Sequence, residues 1–270
     1  MTVLALAITD ASGLDRLAAP PEFAGITAGR LHFGGEFCET LLPTAAGLKR
    51  ALAAAETFGL AFTLATPIVS DAGLARLDRL LPLLPPGTEV TANDWGFLRR
   101  LRDHFPDLVP TAGRLLCKQV KDPRLPSAEW TRLQPHGIHA PGFTAMLARL
   151  GCRRIEMDVA PFATEADFHS PSMAVSVHAP FGFTTKGRSC RIGSLALPTS
   201  GKFAIGHDCR KECLRFQSAA TRPDAATADL ATVQRGNTLF YRHATEMAAT
   251  LRAAAAAGAV ERVILAGDWP

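Results

Sequence analysis

Residues 45–93 read AAGLKRALAAAETFGLAFTLATPIVSDAGLARLDRLLPLLPPGTEVTAN, and their rhythm decides the fold class. The Ala-rich run Ala45–Phe58 favours helix, because Ala loses least on entering one. Ala61–Thr66 is a short apolar run of strand length. Asp71–Leu81 is helix-like again, Pro85-Pro86 punctuates the connection, and Glu89–Asn93 is the next strand. Helix and strand in alternation imply a parallel sheet with right-handed crossovers.

The alternation extends outward in both directions. Strand-like runs fall at Val3–Thr9, Arg30–Phe33, Arg114–Cys117, Arg153–Met157, Ala174–His178 and Arg262–Ala266, eight with the two above. Helix-like runs fall at Trp95–His104, Gly142–Leu150 and Phe240–Ala257, the last followed by Gly258, a suitable helix end. Eight units in about 250 residues predict an α/β fold of the (β/α)8, TIM-barrel-like kind. One domain over residues 1–270 is expected. An open doubly wound sheet is the competing architecture, but no G-x-G-x-x-G follows the first strand. Between Gly182 and Arg235 apolar periodicity fades, so residues 182–235 read as a long inserted loop; loops of that length usually carry function.

Composition excludes several classes. The 270 residues are 47% apolar and 20% charged, which rules out a disordered chain. The 22 Gly and 19 Pro show no period, so the chain is not collagen-like. A net charge of +4 argues against DNA as a partner. The first apolar stretch stops at Asp10, too short for a membrane span or a signal-peptide core. A cytoplasmic location is expected, where stable disulfides are uncommon.

Polar residues gather where strands end, the position of active sites in such barrels. Asn93 and Asp94 close the fourth strand, although both also suit a helix cap before Trp95. Lys118 is expected to end the fifth strand, and Asp268 lies beyond the eighth. Glu156 and Asp158 end the sixth, two apart and so on one face. They can divide acid and base roles there, or pair with rim arginines. His178 ends the seventh. Asn93, Asp94, Glu156 and His178 are the candidate substrate-binding residues.

Six cysteines need an account without disulfides. Cys209 and Cys213 have C-x3-C spacing, and Cys190 precedes them on the same loop. Cys38, just after the second strand, is a candidate for a fourth position on one centre. Four thiolates suit a structural zinc or an iron–sulfur cluster. One close pair and two singles fit a cluster better, and unrelated free cysteines are the plain alternative. Cys117 and Cys152 sit among apolar residues and read as core.

The loop resembles the signature of the collagenase-like peptidase family U32: a Gly-x-Cys segment, a Ser, then Cys-x3-Cys. Here these are Gly187 to Cys190, Ser194, and Cys209 with Cys213. The Cys that opens that signature is missing from Ala179–Phe183. The UbiV-like branch of the family shows the same loss and carries an early Cys in a Gly-Glu-x-x-Cys-like segment. Gly35-Glu36-Phe37-Cys38 resembles it, and Glu89–Gly96 resembles the branch's Asn-Asp stretch. The resemblance runs from Gly29 onward. It implies a 4Fe-4S cluster on Cys38, Cys190, Cys209 and Cys213. It also implies a UbiU-like heterodimer partner, and a subunit of a hydroxylase acting on a small aromatic quinone precursor in anaerobic ubiquinone biosynthesis. A chain that stops at Pro270, right after the eighth strand, adds to the expectation of a partner. Competing functions are hydrolysis, RNA modification, and a non-catalytic scaffold stapled by zinc or a cluster. Hydrolysis lacks a Gly-x-Ser-x-Gly or His-Glu-x-x-His motif. RNA modification sits poorly with one Tyr, three Trp and a small net charge.

Overall fold

The computed structural model describes residues 2–269 apart from 118, 134, 203, 205–207 and 221–228. Eight parallel strands close into a barrel. They are β1 (Val3–Ile8), β2 (Ala28–Phe33), β3 (Ala61–Thr66), β4 (Glu89–Ala92), β5 (Val109–Ala112), β6 (Arg154–Asp158), β7 (Ala174–Ala179) and a last strand, Arg262–Ala266, which pairs with both β7 and β1. The expected TIM-barrel-like architecture is therefore the observed one, and the open sheet is excluded. Between β7 and that last strand come β8 (Phe181–Lys186), β9 (Ser218–Ala219), β10 (Thr232–Arg235) and β11 (Thr238–Arg242), which makes Arg262–Ala266 β12. The helices are α1 (Ala45–Thr57), α2 (Asp71–Leu80), α3 (Trp95–His104), α4 (Ala128–Arg132), α5 (Pro141–Arg149) and α6 (Thr245–Ala256).

Three sequence expectations are corrected. The fifth strand is β5, not Arg114–Cys117. Pro110 reads as a connection, but a proline removes just one ladder donor, and β5 keeps four register pairs with β4. Lys118, expected to close that strand, lies outside the described residues. The last helix starts at Thr245, not Phe240; Thr238–Arg242 is a strand, its aromatic and β-branched residues suiting a pleated surface. Residues 182–235 hold more order than their patterning suggests. β8, β11, β10 and β9 form an antiparallel sheet in that order, so the long connection is anchored by strand pairing at both ends.

Strand alternation sends apolar side chains outward against the helices. Leu31 and Phe33, Leu64, Val90, Ile155 and Met157, Val175 and Val177, and Val263 are all buried in one core. Cys117 and Cys152 are buried in that same core. The inward faces are unusual, since barrel interiors are mostly filled by branched apolar residues. Here alternate strands supply polar layers. At the base, Glu89 of β4 accepts from Arg262 of β12 at 2.6 and 3.0 Å, with Arg30 of β2 at 3.5 Å and Arg154 of β6 at 3.9 Å. Burial alone would raise the Glu89 carboxyl, but the Arg262 guanidinium and its neighbours outweigh it and hold the group below its ordinary value. One layer higher come His32, Thr91 and Glu156.

Helix starts follow ordinary capping chemistry. Thr44, Ser70 and Asp94 accept from the backbone N–H of Gly47, Gly73 and Phe97. Replacing Asp94 by Ala should cost about 1 kcal/mol, as for other N-caps. Urea unfolding checks this, and an unchanged midpoint would remove the capping role.

Candidate functional site

The site lies at the C-terminal mouth of the barrel, where β2, β4, β6 and β7 deliver polar side chains to one place. Glu156 is fully buried at its centre. Its Oε1 accepts from Thr91 Oγ1 at 2.7 Å and meets His32 Nε2 at 2.8 Å, while Oε2 meets His178 Nε2 at 2.9 Å. Burial disfavours its charge, but the two imidazoles and their hydrogen bonds hold the Glu156 carboxyl well below the ordinary range. Asp158, two residues on, takes a different set of partners: Arg114 Nη1 at 2.7 Å, and Lys121. Against burial, Lys121 and Arg114 hold its carboxyl low. Arg114 also forks onto Glu36, at 2.7 Å from Nη2 and 3.1 Å from Nε. Glu36 Oε1 lies 3.6 Å from His178 Nε2.

The four candidate substrate-binding residues therefore part company. Glu156 and His178 meet directly. Asn93 is buried and committed to backbone: Nδ2 donates to Thr66 O at 3.0 Å, and Oδ1 accepts from Leu115 N at 3.0 Å. Gly113 stands where any Cβ would collide with the Asn93 amide, so this connection is closely fitted. Asp94 caps α3. Asp268 pins the end of β1 by accepting from Thr9 N at 2.6 Å, and pairs with Arg235 at 3.3 Å.

The residues that sequence reasoning passed over are His32, Glu36, Arg114 and Lys121. His32 falls inside a correctly expected strand, where its inward direction was legible from strand alternation. Arg114 falls in the expected strand Arg114–Cys117, which does not form. Nothing local marks Lys121, whose partners come from β6.

Cys38, Cys190, Cys209 and Cys213 all line one cavity of about 150 Å³, together with His32, Glu36, Arg114 and His178. Cys38 opens the turn Glu39–Leu41 after β2. Cys213 lies in the turn Glu212–Leu214, and Leu41, Ile192 and Leu214 pack around the cysteines as a small apolar cluster. Gly236, with φ +59°, brings backbone close to Cys213 at the β10–β11 turn; a Cβ there would sit 3.3 Å from that of Cys213. Backbone N–H groups of Gly193 and Lys211 point at the sulfurs of Cys190 and Cys209, at 3.2 and 3.3 Å. Burial pushes the Cys213 thiol up to about 12, and the nearby Cys190, Cys38 and Cys209 add to it. Burial likewise raises Cys190, with Cys209 and Cys38 contributing. Such thiols become thiolates together only if a cation shares the site.

Aromatic rings form the other wall. Phe181 stacks on Trp269 at 3.9 Å between centroids; Phe240 meets Trp269 edge-on at 4.8 Å and Phe37 at 5.1 Å. Arg235 lies 4.9 Å from the Trp269 centroid. Phe181 and Phe240 come from the antiparallel sheet, so that sheet both carries the cysteine connection and closes the mouth.

No helix among the described residues is long and apolar enough to cross a membrane. No protein-family profile and no curated protein matches the sequence. In fold, the chain is similar to the solved structure of the U32 peptidase Mk0906, with a TM-score of 0.50 and 14% identity over 98% of this chain and 92% of that one. A group IV chitinase of Ostrinia furnacalis matches at a TM-score of 0.40 and 10% identity, over 98% of this chain and 92% of that one. At 14% identity the first likeness is one of fold.

Proposed function

We propose that this chain binds a 4Fe-4S cluster through Cys38, Cys190, Cys209 and Cys213 and serves as a subunit of an oxygen-independent hydroxylase for a small aromatic, quinone-precursor-like substrate. The observation that carries the reading is the placement of all four cysteines on one cavity wall, from two segments far apart in sequence. One close pair, Cys209 and Cys213, with two single cysteines fits a cluster better than a structural zinc, which usually takes two close pairs of ligands. A bound cluster would supply one-electron chemistry at the mouth.

The chain's own residues account for the rest. Gly193 and Lys211 N–H groups stabilise negative charge on two of the sulfurs. Phe37, Phe181, Phe240 and Trp269 offer flat apolar walls to an aromatic ring and keep water out. The UbiU-like partner and the quinone pathway rest on the resemblance of the Gly187–Cys213 loop and of Gly35–Cys38. The alternative is a paralogue of that family with the same cluster and another substrate.

An anaerobic absorbance spectrum with iron and sulfide counts is the test. A broad visible band and about four irons and four sulfides per chain are expected. One zinc per chain without sulfide would overturn the cluster reading. A cluster-loaded monomer, active without any partner, would overturn the heteromeric one.

A further inference from the structure

We infer that Glu36, Glu156 and His178 form a second site, separate from the cysteines, for one divalent transition-metal ion. Glu36 Oε1 and Glu156 Oε2 stand 3.6 and 2.9 Å from His178 Nε2, and all three ligand atoms lie within 4.8 Å of one another. The 2.9 and 3.6 Å spacings match neighbouring positions around an ion with ligands at about 2.1 Å.

Charge balance points the same way. The buried hydrogen-bonded cluster holds three carboxylates, Glu36, Glu156 and Asp158, against Arg114 and Lys121, with the imidazoles of His32 and His178 on Glu156. With both imidazoles neutral, as a ligating His178 requires, one negative charge is left over where water is scarce, and uncompensated buried charge is costly. A cation at the three ligand atoms supplies the balance.

The outer contacts suit the role. Metal-binding carboxylates are usually held by further hydrogen bonds. Here Arg114 holds Glu36, while His32 and Thr91 hold the far oxygen of Glu156. His178 would ligate through Nε2, with its proton on Nδ1. Glu36 and His178 also line the cavity, so three protein ligands leave positions open on the side a substrate enters. One imidazole and two carboxylates, without a thiolate, select the Mn²⁺, Fe²⁺ and Zn²⁺ group of ions over softer ones. The inference stands on different residues from the proposed cluster, and neither requires the other.

Mn²⁺ is the probe, because it prefers oxygen and nitrogen donors to thiolates. Anaerobically purified protein is titrated with Mn²⁺, and free and bound ion are read by electron paramagnetic resonance. One ion per chain is expected, with a nitrogen coupling from His178 in the pulsed spectrum. Glu36→Gln and His178→Ala, each verified as folded by circular dichroism, should weaken binding at least ~10-fold. Cys38→Ser should leave Mn²⁺ binding unchanged while iron content falls, which separates failure here from failure of the cluster reading. Absence of saturable Mn²⁺ binding, absence of the nitrogen coupling, or loss of binding with Cys38→Ser would overturn the inference.

Discussion

Replacing Arg114 by Ala is expected to destabilise the protein by roughly 3–5 kcal/mol, the range for breaking a buried ion pair from one side. Arg114 links the barrel proper to the turn that carries Cys38. It forks onto Glu36 beyond β2 and reaches Asp158 at the end of β6, with all three side chains nearly or fully buried. Its removal leaves Glu36 with His178 alone, at 3.6 Å, and Asp158 with Lys121 alone. Arg114→Lys should fall between, since an ammonium keeps the charge but loses the two-pronged contact. The pH dependence carries a second signature. Asp158 is held low in the fold, so its contribution to stability is fully present above the unfolded value of about 3.9 and is lost as pH falls below that toward its depressed folded value. In Arg114→Ala that acid-side slope should flatten. Urea midpoints at pH 3 and pH 7 for the three proteins decide the matter. A loss under about 1 kcal/mol at pH 7 would mean that water or a shifted lysine replaces the guanidinium.

On the proposed cluster, Cys38→Ser or Cys213→Ser is expected to remove nearly all the iron it would hold, because a cluster rarely survives loss of one of four protein ligands where no substitute thiolate lies near. The structural consequence should be local. The segment between β8 and β10 is tied down at its ends by antiparallel pairing, and in the middle by the small apolar cluster around the cysteines. Without the cluster the ends keep their hydrogen bonds, while the cysteine-bearing stretch between Lys186 and Thr232 loses its anchor. Limited proteolysis should therefore cut between those two residues in the variants and in air-exposed wild type, leaving the barrel intact. Iron-free protein that resists protease as well as the iron-loaded form would show that packing alone orders the segment. Cuts in β8 or β11 would show that the sheet itself depends on the metal.

How much of this was legible beforehand differs by kind of feature. The edges of β3 and β12 and the start of α3 follow from local pattern, since short apolar runs and a capping Asp act within a few residues. β5 departs from its local pattern because Pro110 signals a break locally, while pairing along β4 supplies what the proline lacks. β11 reads as helix in the local pattern because the Ala-rich tract beside it is strong, and its partners β8 and β10 have little local signal of their own.

The site divides along the same line. Sequence by itself determined the barrel, the grouping of Cys190, Cys209 and Cys213 on one connection, and the inward shared face of Glu156 and Asp158. Strand period and short spacing depend only on neighbours along the chain. Only the tertiary structure decided that Glu156 lies between His32 and His178, that Asp158 belongs to Arg114 and Lys121, and that Asn93 braces backbone. Those partners come from other strands and turns, 22 to 124 positions away. Barrel closure brings them together, and the burial it imposes makes each carboxylate take the nearest donor that can offset the loss of water.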